Sequence, residues 1–154
     1  RDRLDVDLDR FRRALVKASA SHDSPRRDAL AEAIDLYRGP LFATDPFEEW
    51  VWPHRDRLSW QHLDALIQLA EAEDTEGRHE QALPHWSAAI EADPAAEHAY
   101  RGLIRCYLAL GRTADALRVL TRCQQALADF GVVPSPETLA LGGQIPGVRQ
   151  EPSR

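Results

Sequence analysis

The stretch Gly77-Arg78-His79-Glu80-Gln81-Ala82-Leu83 returns 34 residues later as Gly111-Arg112-Thr113-Ala114-Asp115-Ala116-Leu117, keeping the glycine-arginine and alanine-leucine pairs. The echo extends outward: Ala65, Leu69 and Ala92 recur at the same offset as Ala99, Leu103 and Ala126. A period of 34 is that of tetratricopeptide arrays, in which each unit is a helix, a tight turn and a second helix. One such unit cannot bury its apolar face alone, so units stack and leave a groove that holds another molecule. The spacing therefore predicts an all-α fold of tetratricopeptide-like helical hairpins wound into a right-handed superhelix. It points to a binding scaffold.

Helical periodicity extends from there in both directions. Leu58, Leu63, Leu66, Leu69 and Ala70 mark one face of a long helix from about His54 to Glu76, which Gly77 ends. Ala82, Leu83, Trp86, Ala89 and Ile90 line a helix over 79–92, closed by Asp93-Pro94. Tyr100, Leu103, Ile104 and Tyr107 form a stripe over 96–110, ended by Gly111. Ala116, Leu120, Cys123 and Leu127 do the same over 114–129, with Thr113 as cap and Gly131 as stop. The two repeats are 63–96 and 97–130; Ala128 stands where the second lacks the closing proline of the pattern. Ser135-Pro136 opens a short last helix to about Leu141, since serine caps free N–H groups and proline suits the first turn.

Upstream, Leu8, Phe11, Leu15 and Ala18 keep helical spacing, and Ser24-Pro25 opens a helix that Gly39-Pro40 stops, with Leu30, Ala31, Ile34 and Tyr37 inside. This pair, residues 8–39, does not align to the 34-residue pattern. Residues 40–53 form an aromatic loop carrying Phe42, Phe47, Trp50 and Trp52, expected to fold back on the helices as core, with an exposed docking patch as the alternative. Leu4, Val6 and Leu8 alternate with aspartates, which reads as a short strand or an extended lead-in over 1–7. The main domain is then 8–141. Gly142-Gly143, Pro146, Gly147, Pro152 and Ser153 mark 142–154 as a disordered tail or linker.

Composition narrows the function. The chain has 154 residues, 19 basic and 25 acidic, with a formal charge of −6. An acidic chain argues against free-standing nucleic-acid binding, which needs a basic surface. No apolar run approaches the roughly 20 residues of a membrane helix, and no basic-then-apolar leader is present. Lys17 is the only lysine, and methionine is absent. The missing start methionine suggests a piece of a longer chain, and the amino-acid bias suits a GC-rich bacterial genome. Cys106 and Cys123 are too few for a disulfide framework and read as buried thiols in a reducing cytoplasm.

Catalytic signatures are missing: there is no serine elbow, no P-loop and no Cys-x-x-Cys. None of the six histidines forms a His-x-x-x-His pair, so one helix cannot offer two zinc ligands a turn apart. No catalytic, cofactor or metal site is expected. The concave groove is the candidate site. Its register places Asp64, Ile67, Glu71 and Asp74 on the first repeat, and His98, Arg101, Arg105 and Leu108 on the second. Arg101 and Arg105, one turn apart, can grip a carboxylate or phosphate. Local pairing, such as Glu97 with Arg101, competes with that reading.

Several segments together resemble a known family. They are Asp9-Arg10-Phe11, Leu36-Tyr37-Arg38-Gly39-Pro40-Leu41, Glu49-Trp50 with Arg55-Asp56-Arg57-Leu58, Asp93-Pro94-x-x-Glu97, Gly111-Arg112 with Ala116-Leu117, and Leu127-x-x-Phe130-Gly131-Val132-x-Pro134-Ser135-Pro136-x-Thr138. Over about residues 5–142 the chain resembles the bacterial transcriptional activator domain of Streptomyces antibiotic regulatory proteins (SARPs). Phe130, in place of the usual leucine, and Trp52-Pro53 are departures. The resemblance implies a non-enzymatic, cytoplasmic regulatory module that follows a winged-helix DNA-binding domain, of which residues 1–7 would be a remnant. It implies protein partners: self-association, neighbouring domains and RNA polymerase. DNA would be touched only through the absent N-terminal domain. A generic tetratricopeptide adaptor or ligand-sensing scaffold of an ATPase-linked regulator is the alternative.

Overall fold

A computed structural model of the chain describes residues 2–37 and 52–146, with side chains from residue 8 in the first segment and residue 56 in the second. Among the described residues there are seven helices: α1 Asp2–Ser19, α2 Asp23–Leu36, α3 Trp52–Thr75, α4 His79–Ala92, α5 Glu97–Ala109, α6 Thr113–Asp129 and α7 Pro136–Gly143. None of the described residues forms a strand. The all-α hairpin reading holds. Two compact units divide the chain, Arg1–Ala72 and Glu73–Arg154, and the boundary falls within α3.

In the first unit the apolar stripes of α1, α2 and α3 make the core. Ala18, Ala29, Leu30, Ala65 and Leu69 form one cluster. Phe11, Ala14, Ala33 and Leu58 form another. The alanines sit where helices approach closely, and larger side chains fill the space between. Tyr37 stacks on His62 at 3.9 Å between ring centroids, and burial holds the imidazole below its ordinary pKa.

In the second unit Ile104, Ala116, Leu120, Leu141 and Ile145 join α5, α6 and α7. Trp86, on α4, is fully buried. The three glycines expected to end helices all do so, with φ of 74° at Gly77, 71° at Gly111 and 69° at Gly131. Each makes the same closure: the residue after the glycine donates its N–H to the carbonyl five residues back, Arg78 to Glu73, Arg112 to Tyr107 and Val132 to Leu127. A left-handed residue followed by this bond satisfies helix carbonyls that would otherwise lack donors. The repeated glycine is thus what turns the chain between the paired helices.

Four local expectations change. Residues 2–7 are helical, continuous with α1, instead of extended. Leu4 and Leu8 are a turn apart, so the same leucines fit a 3.6 period that Phe11 and Leu15 continue. Ser24 is not a cap: α2 begins at Asp23, whose φ is 53°, and no side chain caps its start. Aspartate is one of the few residues that enters this region readily, so the chain turns one residue early. Thr113 is likewise the first helical residue and not the cap, because the Arg112 carbonyl already accepts from Ala116. Finally, α7 runs through Gly143, Gly142 is buried, and Ile145 is 2% exposed, so the structured region extends beyond 141. Gly142 packs closely on α6: a Cβ there would lie 3.0 Å from Leu120 Cδ2. The Gly39-Pro40 stop, Phe42, Phe47, Trp50, the side chain of Trp52 and residues 147–154 lie outside the described residues.

Candidate interaction site

Helix α5 carries three of the five candidate groove residues. It begins where Asp93 accepts the N–H of Ala95 at 2.9 Å, an aspartate turn that redirects the chain after α4. Glu97, the first residue of α5, then accepts from both the backbone N–H and the hydroxyl of Ser135, each at 2.7 Å. Arg101, one turn on, donates to Ser135 Oγ and Thr138 Oγ1, each at 3.2 Å, and lies 3.8 Å from the Glu97 carboxylate. Ser135 also caps α7 by accepting from the Thr138 N–H. Thr138 is fully buried. Two segments far apart in sequence, 97–101 and 135–138, therefore form one polar lock that seats α7 on α5.

The lock decides the role of Arg101. Its guanidinium is turned toward α7 and its side chain is 21% exposed, so local pairing is what the structure shows. Arg105 is exposed and takes no part in the lock. His98 meets the Trp86 ring edge-on, with centroids 5.6 Å apart. The structure therefore does not bring Arg101 and Arg105 together as a joint clamp. Asp64 and Glu71 lie on α3 in the first unit and are exposed; Asp64 accepts from Gln68, which in turn accepts from Arg26 at 2.8 Å.

Burial alone would push the Glu97 carboxyl up. Hydrogen bonds from Thr138 and Ser135 and the Arg101 charge together outweigh it, and Glu97 sits below the ordinary value of 4.5. A carboxyl with a lowered folded-state pKa contributes stability that is complete above the unfolded value and is lost as pH falls through the folded one. The lock should thus weaken below about pH 4.5. Thermal melts of the chain and of Glu97→Gln across this range check it: the variant should lose part of the acid dependence, and parallel curves would exclude a role for the charge.

A second cluster was invisible in the sequence. Asp74, in the last turn of α3, faces His79 at the start of α4, with Oδ1 2.7 Å from Nδ1. Cys106, on α5, donates its thiol to the same oxygen at 3.3 Å. Asp74 was legible as a groove position; Cys106 was legible only as a buried thiol. The Gly77 turn brings the first two together, and packing of α5 brings the third, so no local spacing announces the set. Burial, with the adjoining Asp74 carboxylate, pushes the Cys106 thiol up to about 12. Cys123 is also a free, buried thiol, raised to about 11 by burial. In these protonated states neither is a nucleophile.

The described surface also shows an apolar edge at the α6–α7 junction: Phe130, Val132, Val133 and Leu139 are all exposed. No described helix is long and apolar enough to cross a membrane.

Comparison with known proteins agrees with these features. The family described as bacterial transcriptional activator domain matches residues 6–145. The chain is 32% identical over 120 residues to the regulatory protein AfsR of Streptomyces coelicolor, a match that covers 77% of this chain and 12% of that protein. No solved structure matches.

Proposed function

Because this chain belongs to the bacterial transcriptional activator domain family, we propose that it is the protein-interaction module of a SARP-type activator, working through self-association or contacts with neighbouring domains and RNA polymerase. The observation that carries the reading is the family match over nearly the whole described chain, including both segments of the α5–α7 lock. The module is regulatory and has no catalytic role. DNA recognition belongs to a separate N-terminal domain, since this chain is acidic and phosphate attraction needs the reverse. The site of action is the cytoplasm.

Within that reading the exposed Arg105, with His98, offers a contact surface in the second unit, Asp64 and Glu71 are contact candidates in the first, and Arg101 positions α7. The two arginines can be separated by single changes in the full-length regulator. Arg105→Glu should leave the melting temperature nearly unchanged and reduce reporter activation. Arg101→Glu should lower stability by about 1.5–3 kcal/mol, the usual worth of hydrogen bonds to a charged group. An Arg105→Glu regulator that activates fully would remove this residue from the contact surface.

A further inference from the structure

We propose that Asp74, His79 and Cys106 form a binding site for a zinc-class divalent cation, with one coordination position left to solvent. The three side chains offer one oxygen, one nitrogen and one sulfur, and all three atoms lie within 4.8 Å of one another. Tetrahedral zinc takes these donors at about 2.0–2.3 Å, which places neighbouring ligand atoms at separations the cluster reaches with small side-chain shifts. The sulfur selects zinc or cobalt over magnesium or calcium, which prefer all-oxygen shells.

Charge and proton balance fit a dication. Bound, the ion stands where the hydrogen-bond protons now link His79 and Cys106 to Asp74 Oδ1. The Cys106 thiol releases its proton to solvent, and His79 keeps its proton on Nε2 with Nδ1 as ligand. One carboxylate and one thiolate against a 2+ ion leave the half-buried site neutral.

A second observation points into the same place. Trp86 is fully buried, and its indole N–H has no hydrogen-bond acceptor. A buried unsatisfied donor is costly and calls for a cause. This one lies beside the Cys106 thiol. A metal-bound thiolate supplies the acceptor the indole lacks, as outer groups around metal ligands commonly do. Nor does the repeat itself require the trio. Thirty-four residues on, Asp74 and His79 correspond to Leu108 and Thr113, and 34 residues back Cys106 corresponds to Ala72.

The test is a Co2+ titration of the chelator-treated chain, read by absorbance. The expected result is one equivalent bound with a near-ultraviolet thiolate-to-cobalt band, displaced by Zn2+, and a melting temperature raised by Zn2+. Cys106→Ala, which installs the residue of the preceding repeat, should abolish the band, and Cys123→Ala should keep it. Asp74→Asn and Trp86→Phe should each weaken Co2+ binding by about tenfold or more. The absence of a thiolate band in the unaltered chain overturns the proposal without recourse to any variant. So does a band that survives Cys106→Ala.

Discussion

Trp86→Ala should cost the Glu73–Arg154 unit about 3–5 kcal/mol, the range for deleting a buried aromatic ring. Against a typical domain stability of about 5–15 kcal/mol, that is a large share. Among the described residues Trp86 is the largest side chain completely shielded from solvent. Its ring lies against Gly102 of α5 and meets His98 of the same helix edge-on. Removing it opens a void between α4 and α5. Glycine has no side chain to collapse into that void. Urea denaturation of the chain and the variant, followed by far-ultraviolet circular dichroism, measures the loss. A change below about 1 kcal/mol would mean that the ring is not the packing centre of this unit. Trp86→Phe separates packing from the indole N–H, because it keeps an aromatic ring while discarding the unsatisfied donor.

The helices were legible because their signals are local. The 34-residue offset placed Gly77 and Gly111 at turns, and periodicity selected Leu66, Trp86, Leu103 and Leu120 for the core, where the structure buries them. What the sequence could not carry is convergence between distant segments. Glu97 looked like a pairing partner for Arg101, and it is, but nothing in the spacing shows that Ser135 completes the pair. The groove register was a statement about helix faces. It could not foresee that α7 would occupy the guanidinium of Arg101 while leaving Arg105 exposed. The same holds for Asp74, His79 and Cys106, which belong to three helices and meet only after packing. Residue preference points to caps at Ser24 and Thr113, but it is weaker than the geometry of the turn before each helix, which puts His22 and Arg112 there.

Gly102 is the residue where local rule and tertiary packing oppose each other most sharply. Propensity alone favours Gly102→Ala: alanine in a helix interior is worth about 1 kcal/mol over glycine. Packing reverses the sign. A Cβ at this position would lie 2.3 Å from Trp86 Cε2, 2.5 Å from Cζ2 and 2.6 Å from Cδ2. The ring is rigid and fully enclosed, so neither partner can yield without moving a helix. Overpacking of this kind costs about 1–3 kcal/mol and sometimes more, and contacts this short put Gly102→Ala at the upper end, with a net loss of about 3 kcal/mol expected. Because one contact causes the loss, the two sites should couple strongly. In a Trp86→Leu background the same Gly102→Ala change should be neutral or slightly stabilising, since the obstructing ring is gone and propensity then decides. A double-mutant cycle by urea denaturation reads this directly. Equal losses in both backgrounds would show that Gly102 is required for some reason other than the ring above it.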